Sequence, residues 1–452
     1  MKEFRILIKW LVIIVPLSAV IGTAIAFFLW SLDFVTDLRI KNPWLLYLLP
    51  FIGLLIIWFY KKYGGKSERG SNLIMDEIHE PGGGVPVRMA PLVYFGTILT
   101  HLFGGSAGRE GTAVQIGGSI SALFRKYINL DESDTRILLI SGVAAGFGAV
   151  FGTPLAGAIF AIEVLAIGKI RYDAIIPALL ASVLADLSCS IWGLGHTEYS
   201  ILFIENAYLF DEKIRIDPLL FGKILVACMA FGLTGYLFGE LTHRIKDLSK
   251  RFIKNTYLIP LIGGAVVIGI TFLYGNYDYN GLGVESYREG GVSILSSFQE
   301  GGANALSWLQ KLALTSVTLG TGFKGGEVTP LFFVGSTLGN VLGDLMDAPI
   351  DLLAGLGFIA VFAAATNTPL ACTIMGVELF GSDNILYYAI ACFVAYFFSG
   401  HTGIYSSQKV GVPKIFDLHH HKESTLGEIR KSGIEKRQHA RKKKKEKRKK
   451  TK

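Results

Sequence analysis

The stretch GGSAGREGTAVQIGGS, residues 104–119, places Arg109 and Glu110 among glycines in an otherwise apolar part of the chain. A glycine-rich bend followed by a helix exposes free backbone N–H groups, and the helix dipole adds positive charge there, so such a bend can bind an anion. Ionised Glu110 at the start of the helix would satisfy the same donors and occupy the anion's place. Protonation would remove the charge that holds it there. The stretch therefore predicts a residue that couples a proton to an anion, with a plain helix cap or a salt bridge to Arg109 as the alternative.

The composition indicates a membrane protein. Of the 452 residues, 51% are hydrophobic and only 18% are charged, and the mean hydropathy is +0.45. Several runs lack Asp, Glu, Lys and Arg and approach or exceed the ~20 residues that cross a bilayer as a helix. These runs are residues 10–30, 43–60, 137–162, 255–277, 352–377 and 385–408. Without the alternating pattern of a membrane β-barrel, they predict an all-α polytopic membrane protein.

Basic residues cluster at both chain ends and in one loop. Residues 435–452 carry 12 Lys or Arg and two Glu, a charge of +10, so the rest of the chain carries −2 of the total of +8. Three bases, Lys2, Arg5 and Lys9, precede the first apolar run, and a basic loop at 61–66 follows the second. The positive-inside rule then predicts that both termini are cytoplasmic. Because the sequence shows no organelle address and no regulatory domain after the last apolar run, we expect a prokaryotic plasma membrane. We expect the first apolar run to be a retained span, with a cleaved signal peptide as the alternative.

The remaining polar features predict no cofactor and no metal. We expect the basic tail to be a solvated anchor, with binding to anionic lipid as the alternative and nucleic-acid binding not expected. The four cysteines show no CxxC spacing and are expected to pack as small residues. The histidines at 419–421 have no partner ligands nearby in the sequence.

The chain contains an internal repeat. TPLAGAIFAIE at 153–163 matches TPLACTIMGVE at 368–378 at six of eleven positions. Upstream, GREGT at 108–112 lies over GGEVT at 325–329, which aligns Glu110 with Glu327. The sequence thus predicts that the two glutamates occupy equivalent places. The spacing between matched positions is slightly longer here than in the first match, and a short loop insertion would account for the change.

A repeat of this kind is typical of membrane transporters. Their sites lie near the bilayer midplane between the repeats and are formed by broken helices. The predicted organisation is described by five segments. They are N-terminal membrane helices at 1–60, a first repeat half at 61–200, an acidic loop at 201–217, a second repeat half at 218–410 and a basic cytoplasmic tail at 411–452.

These motifs resemble the CLC family of chloride channels and anion/proton antiporters. GREG at 108–111 matches the family's GREGP motif, and GGEVTP at 325–330 stands where the family has GxFxP. GSNLI at 70–74 stands where it has GSGIP, and IYS at 404–406 resembles the segment whose tyrosine reaches the central anion. The order and spacing of the motifs extend over nearly the whole chain.

The resemblance implies a homodimer in which each subunit has its own pathway and consists of two inverted halves of tilted and broken helices. It implies that Glu110 is the external gating glutamate and that Glu327 is a second titratable group. Ser71 and Tyr405 would flank the central anion, and backbone amides near Val328 and Thr329 would contribute. The remaining candidates for anion binding are Asn72, Gly108, Arg109 and Gly111.

Departures from the family pattern point to the bacterial fluoride/proton antiporter branch. Thr112 replaces the proline of GREGP, Glu327 stands in the second motif, and Val164 stands where chloride/proton antiporters carry an internal glutamate. Ser71 is instead the residue expected of chloride members, with Asn72 adjacent. Fluoride is small and strongly hydrated, so it needs strong donors; protonated Glu327 would be one of them.

The sequence leaves several functions open. The first is export of fluoride in exchange for protons, and its alternatives are chloride/proton antiport and a passive chloride channel. A membrane-embedded enzyme with Glu110 and Glu327 as an acid/base pair is a separate class, but no recognised catalytic motif accompanies them, so no enzyme is predicted. A scaffold built around the basic tail would leave the repeat and the buried glutamates unexplained.

Overall fold

A computed structural model describes residues 2–205, 207–209, 212–214, 217–414 and 423–434. Most of these residues are helical. The helices are α1 Lys2–Lys41, α2 Leu49–Phe59, α3 Ser71–His79, α4 Met89–Leu102, α5 Glu110–Arg125, α6 Glu132–Phe151, α7 Pro154–Glu163, α8 Ile175–Ser190, α9 Pro218–Phe252, α10 Leu258–Tyr274, α11 Ser307–Gly320, α12 Val328–Met346, α13 Ile350–Thr366, α14 Pro369–Phe380 and α15 Ile385–Phe398.

The strands among the described residues are only two or three residues long. β1 Ala166–Ile167 pairs in parallel with β4 Lys409–Val410, and β2 Ala207–Leu209 pairs antiparallel with β3 Glu212–Ile214. The β1–β4 pair joins the end of the first half to the segment that follows α15. The predicted tail beyond residue 434, the histidines at 419–421 and parts of the acidic loop at 201–217 lie outside the described residues.

Helix lengths fit a membrane fold of mixed long and short helices. Within the described residues, five helical stretches are long and apolar enough to span a bilayer. They are Phe4–Lys41, Pro43–Arg69, Glu132–Phe151, Tyr172–Ser190 and Pro218–Phe252. Six further apolar helices, including α4, α7 and α14, have only 10–17 residues. Such short helices bring helix ends and their unpaired backbone groups into the interior of the protein, where sites can be built.

Glycines bring the central helices into backbone contact. A Cβ added at Gly117 of α5 would lie 2.1 Å from the carbonyl oxygen of Gly142 in α6. In the second half, a Cβ at Gly335 of α12 would lie 2.0 Å from the carbonyl oxygen of Gly357 in α13. Small residues allow this close approach of helices in membranes. The paired contacts therefore align Gly117 with Gly335.

The structural register of the repeat differs from the predicted register by one position. Helices α5 and α12 begin at Glu110 and Val328, so these two residues occupy equivalent positions. The contacts of Gly117 and Gly335 give the same register. The predicted equivalence of Glu110 and Glu327 is therefore wrong, because Glu327 comes one position earlier, before its helix begins. On a helix, one position turns a side chain by about 100°, so the two carboxylates leave their helix starts in different directions.

The change in repeat spacing comes from helix length. Helix α6 has 20 residues and α13 has 17, and this difference accounts for the shorter spacing between matched positions after these helices. The predicted loop insertion is therefore wrong. Left-handed residues, Gly152 (φ 68°) and Asn367 (φ 58°), end the two helices.

Two glutamates tie the halves together by capping each other's helices. The Glu163 carboxylate, at the end of α7, accepts hydrogen bonds from the backbone N–H groups of Leu370 (3.1 Å) and Ala371 (2.8 Å) at the start of α14. The Glu378 carboxylate, at the end of α14, accepts from Leu155 and Ala156 at the start of α7, both at 2.8 Å. Each negative charge thus lies at a helix N-terminus, where it is stabilising.

Removing one of these caps should lower stability. Glu378→Ala leaves the N–H groups of Leu155 and Ala156 without their acceptor, and we expect a loss of about 1–3 kcal/mol in the free energy of unfolding. Glu378→Gln keeps one carbonyl acceptor and should lose less. Thermal unfolding of the purified variants in one detergent compares them, and equal transitions for wild type and the alanine variant would contradict the capping role.

Candidate anion and proton site

Two glycine-rich loops, one from each half, meet at the centre of the molecule. The Gly108 and Gly326 backbones form an antiparallel bridge in which each N–H donates to the other's carbonyl oxygen at 2.7 Å. A Cβ at Gly326 would lie 2.7 Å from the Gly111 nitrogen. The close approach of the loops therefore requires glycine and places the starts of α5 and α12 side by side.

The Glu110 carboxylate occupies the N-terminus of α12. Its side chain is 1% exposed. Oε2 accepts hydrogen bonds from the backbone N–H groups of Thr329 (3.1 Å) and Arg109 (3.0 Å), and Oε1 accepts from the Thr329 hydroxyl. Glu110 begins a helix in the first half but binds the free donors of a helix in the second half. It therefore holds a position suited to a small anion.

Arg109 contacts the same carboxylate only loosely. Its Nε lies 3.9 Å from Glu110 Oε1, whereas the α12 donors lie within hydrogen-bonding distance. Arg109 instead lines a cavity that also includes Glu110, His196, Tyr199 and Thr329. The helix start, rather than a salt bridge, therefore holds the carboxylate at the edge of this cavity.

Glu327 lies at the junction of the two loops. It precedes α12 as its N-cap residue, and a Cβ at Gly111 would lie 3.6 Å from its Oε2. Its carboxylate is thus beside the start of α5, and no hydrogen bond joins it to another described side chain. Val328 is the first residue of α12 and is buried. The two glutamates are close in space but have different surroundings.

A second cavity lies on the opposite side of these loops. Ser71, the first residue of α3, and Tyr405 line it together with apolar side chains such as Ile74, Val114 and Val164. Gly70, with φ of 58°, provides the turn that precedes α3. The fold therefore brings together two predicted anion ligands from near the two ends of the sequence.

The Asn72 side chain does not line the cavity that its neighbour Ser71 lines. Its Oδ1 accepts hydrogen bonds from the Ser407 backbone N–H (2.9 Å) and the Ser406 hydroxyl (3.2 Å). It is not among the residues that line the cavity of Ser71 and Tyr405. The Asn72 side chain therefore fastens α3 to the loop that carries Tyr405.

Sequence reasoning missed Gln408, which supports the same loop. Its buried side-chain amide donates to the carbonyl oxygens of Val164 and Thr366, both at 2.9 Å, and its Oε1 accepts from Asn367 Nδ2 at 2.8 Å. The sequence feature that could have indicated this supporting role is a glutamine in an otherwise apolar run. Gln408 fixes the Tyr405 loop against the ends of α7 and α13.

Lys311 was also missed, and it supports the loop before Glu110. This lysine of α11 is fully buried, and its Nζ donates to the carbonyl oxygens of Gly281 (2.8 Å) and Tyr279 (3.1 Å). The Asn280 side chain between them donates to the carbonyl oxygen of Gly104 at 2.7 Å. Lys311 thus holds the loop on which the GGSAGREG segment rests.

The described residues contain no group of three side chains suited to a metal ion. The polar groups around the two loops and the two cavities include two carboxylates, the hydroxyl groups of Ser71, Thr329 and Tyr405, and backbone N–H groups. These groups can bind a small anion and exchange a proton.

Comparison with known proteins identifies the family. The model of the voltage-gated chloride channel family matches residues 52–400. The chain belongs to this CLC family. A curated relative, the chloride/fluoride channel protein of Pseudomonas syringae pv. tomato, is 45% identical over 90% of this chain and 87% of its own length. A crystal structure of a CLC-type fluoride/proton antiporter superposes with a TM-score of 0.82 at 37% identity, covering 89% of this chain and 98% of that one.

More distant CLC relatives include exchange transporters. The H(+)/Cl(-) exchange transporter ClcA of Vibrio cholerae is 26% identical over 66% of this chain and 64% of its own length. The predicted resemblance and the predominantly helical CLC fold are therefore confirmed. As a CLC protein, the chain is an integral membrane protein of a transporter and channel family.

Proposed function

We propose that this protein exports fluoride across the plasma membrane in exchange for protons. The observation that carries the proposal is the Glu110 carboxylate at the N-terminus of α12, bonded to the backbone and hydroxyl of Thr329. The likeness to a fluoride/proton antiporter and to a chloride/fluoride channel protein supports the choice of ion.

Exchange follows from competition between a carboxylate and an anion for the same donors. Ionised Glu110 closes the pathway by occupying the start of α12. The cavity lined by Arg109 and His196 is the outward side in this proposal. A proton that arrives from it neutralises the carboxylate, which then no longer benefits from the helix dipole or from the Thr329 donors. The side chain leaves, and an anion from the cavity of Ser71 and Tyr405 takes the vacated donors. The displaced carboxylic acid releases its proton on the cytoplasmic side. The ionised carboxylate then returns to the start of α12 and expels the anion outward.

The donors around the pathway favour fluoride over larger halides. Removing the tightly held water of fluoride requires strong hydrogen-bond donors, because an unpaired charge is costly inside a protein. The hydroxyl groups of Thr329 and Tyr405 and the start of α12 are such donors, and protonated Glu327 adds another. Ser71 favours chloride, so chloride/proton antiport and passive chloride conduction are the alternatives.

Efflux from liposomes discriminates among these alternatives. Liposomes containing the purified protein are loaded with fluoride or chloride, and ion electrodes follow efflux while external pH is recorded. We expect fluoride efflux with matched proton uptake. Faster chloride efflux would favour the chloride alternative, and fluoride or chloride efflux without proton movement would favour a channel.

Thr329→Val should weaken the hold on Glu110 without changing side-chain size. The variant removes a hydroxyl donor to a charged carboxylate, an interaction of about 1.5–3 kcal/mol. Glu110 should then leave α12 without a proton more often, and fluoride efflux in the absence of proton uptake should rise about tenfold. Thr234→Val, whose hydroxyl donates to the Ala230 carbonyl oxygen within α9, is the matched control. An unchanged ratio of fluoride to protons in Thr329→Val would contradict this role.

We also propose a homodimer with both termini in the cytoplasm. The dimer follows from family resemblance, and the orientation from the bases at 2–9, 61–66 and 435–452. In this arrangement Arg88 and the basic segment after α2 face the cytoplasm, whereas Gly104 and the end of α1 face outward. The predicted segments 1–60, 61–200, 201–217, 218–410 and 411–452 keep this orientation.

A further inference from the structure

An apolar groove runs between α2 and α4 on the outer surface of the helix bundle. Its walls include Phe59 and Tyr60 from the end of α2 and Leu92, Phe95 and Leu99 from α4. Phe95 is 62% exposed. The groove is thus an apolar surface open to the surroundings of the helix bundle.

Basic side chains lie at one end of this groove. Arg88, the residue before α4, lines the groove and is exposed, and it forms no ion pair with another described residue. The basic segment 61–66, predicted as a loop, is helical and continues from α2, because its turns follow the last turn of that helix directly. A Cβ at Gly65 would lie 2.9 Å from Arg88 Nη2, so Arg88 lies across this basic segment. Lys62 in this segment lies over Trp58, with its Nζ 4.8 Å from the ring centroid. Aromatic and basic side chains together are typical of the membrane interface.

The inner wall of the groove touches the loop that carries Glu327. The Lys324 Nζ lies 4.0 Å from the centroid of the Tyr60 ring. A Cβ at Gly96, which also lines the groove, would lie 2.9 Å from Lys324 Cγ. Lys324 shortly precedes Glu327 in the same loop. A molecule bound in the groove would therefore pack against Tyr60 and Gly96, the residues that contact Lys324.

We propose that an anionic phospholipid of the cytoplasmic leaflet binds this groove and steadies the Lys324 loop. One acyl chain lies along Phe59, Leu92 and Leu99, and the phosphate pairs with Arg88. Charge complementarity selects the lipid, because basic pockets between membrane helices on the cytoplasmic side recognise anionic head groups. The choice of leaflet and the effect on exchange rest on the proposed function; lipid binding itself does not.

Native mass spectrometry of the full-length protein in detergent tests binding. Phosphatidylglycerol and phosphatidylcholine with identical acyl chains are added separately. We expect retention of phosphatidylglycerol in preference to phosphatidylcholine, and Arg88→Gln should lower phosphatidylglycerol affinity about fivefold. Arg251→Gln removes another exposed base, at the end of α9, and should have no effect. Equal retention of the two lipids, or equal effects of the two arginine variants, would overturn the proposal.

Two further variants distinguish lipid binding in the groove from attraction of lipid to the general surface charge. Leu99→Trp fills the groove without changing charge and should abolish the preferred lipid adduct, with size-exclusion elution confirming that it is folded. Tyr60→Leu removes the ring beneath Lys324 but leaves Arg88; it should keep the adduct and lose the dependence of fluoride efflux on anionic lipid. Retention of that adduct in Leu99→Trp would refute the site. A lipid adduct without fluoride efflux in any vesicle would refute the proposed function instead.

Discussion

Glu110→Ala is expected to abolish proton movement while fluoride efflux continues. The variant removes the only side chain that the described structure places on the N-terminus of α12. An anion can then use these donors without competition, and no carboxylate remains there to carry a proton. Loss of a proton-transferring group typically costs a factor of about 100 or more, so proton uptake in loaded liposomes should fall to background.

Glu77→Gln provides the matched control for this variant. Glu77 is also buried, but its carboxylate accepts from the Gly82 backbone N–H at 2.8 Å and lies away from both central loops. Fluoride efflux and proton uptake should both persist in Glu77→Gln. Proton uptake that persists in Glu110→Ala would show that another group carries the proton. Loss of all fluoride efflux in a folded Glu110→Ala protein would show that the carboxylate is required for passage of the anion itself.

Glu327→Gln is expected to impair coupled exchange more than any other change outside Glu110. Glutamine keeps the size of the side chain but can no longer release or take up a proton. The Glu327 carboxylate lies beside Gly111 at the start of α5, next to the place that Glu110 vacates. A positioned proton-transferring side chain contributes a factor of about 100 or more, so the loss of this group should slow exchange at least about tenfold.

Glu327→Asp tests whether a titratable group is what this position needs. Aspartate retains the carboxylate on a shorter side chain, and it should restore part of the exchange that glutamine loses. Fluoride and proton fluxes are measured together in liposomes for wild type and both variants. Normal fluxes of both ions in Glu327→Gln would rule out a role for Glu327 in proton transfer or fluoride binding.

Local sequence patterns were sufficient to predict the membrane fold and the two central loops. The apolar runs predict membrane helices, because burial of an apolar segment in the bilayer depends on composition more than on neighbours. The glycines around Arg109 and Glu110 predict a bend and a helix start for similar local reasons. The similarity of 153–163 to 368–378 also predicts the repeat, whose helices α7 and α14 have matching starts.

Contacts between distant residues were not predictable in the same way. Asn72 follows Ser71 in sequence, yet α3 directs the two side chains differently: Ser71 lines a cavity and Asn72 binds the Tyr405 loop. The mutual capping by Glu163 and Glu378 joins helices from opposite halves of the chain. Such contacts depend on how whole helices pack, which no local spacing encodes.

By itself, the sequence determined the helical membrane fold, the internal repeat and the presence of acidic groups at two glycine-rich bends. The tertiary structure alone decided the register of the repeat, because the packing of Gly117 on α6 and of Gly335 on α13 makes these two glycines equivalent. That register lies one position away from the predicted one, so it makes Glu327 the counterpart of Arg109 and Val328 the counterpart of Glu110. Identical residues in the two loops favoured the predicted alignment, whereas the close contacts between helix backbones are compatible only with the observed register.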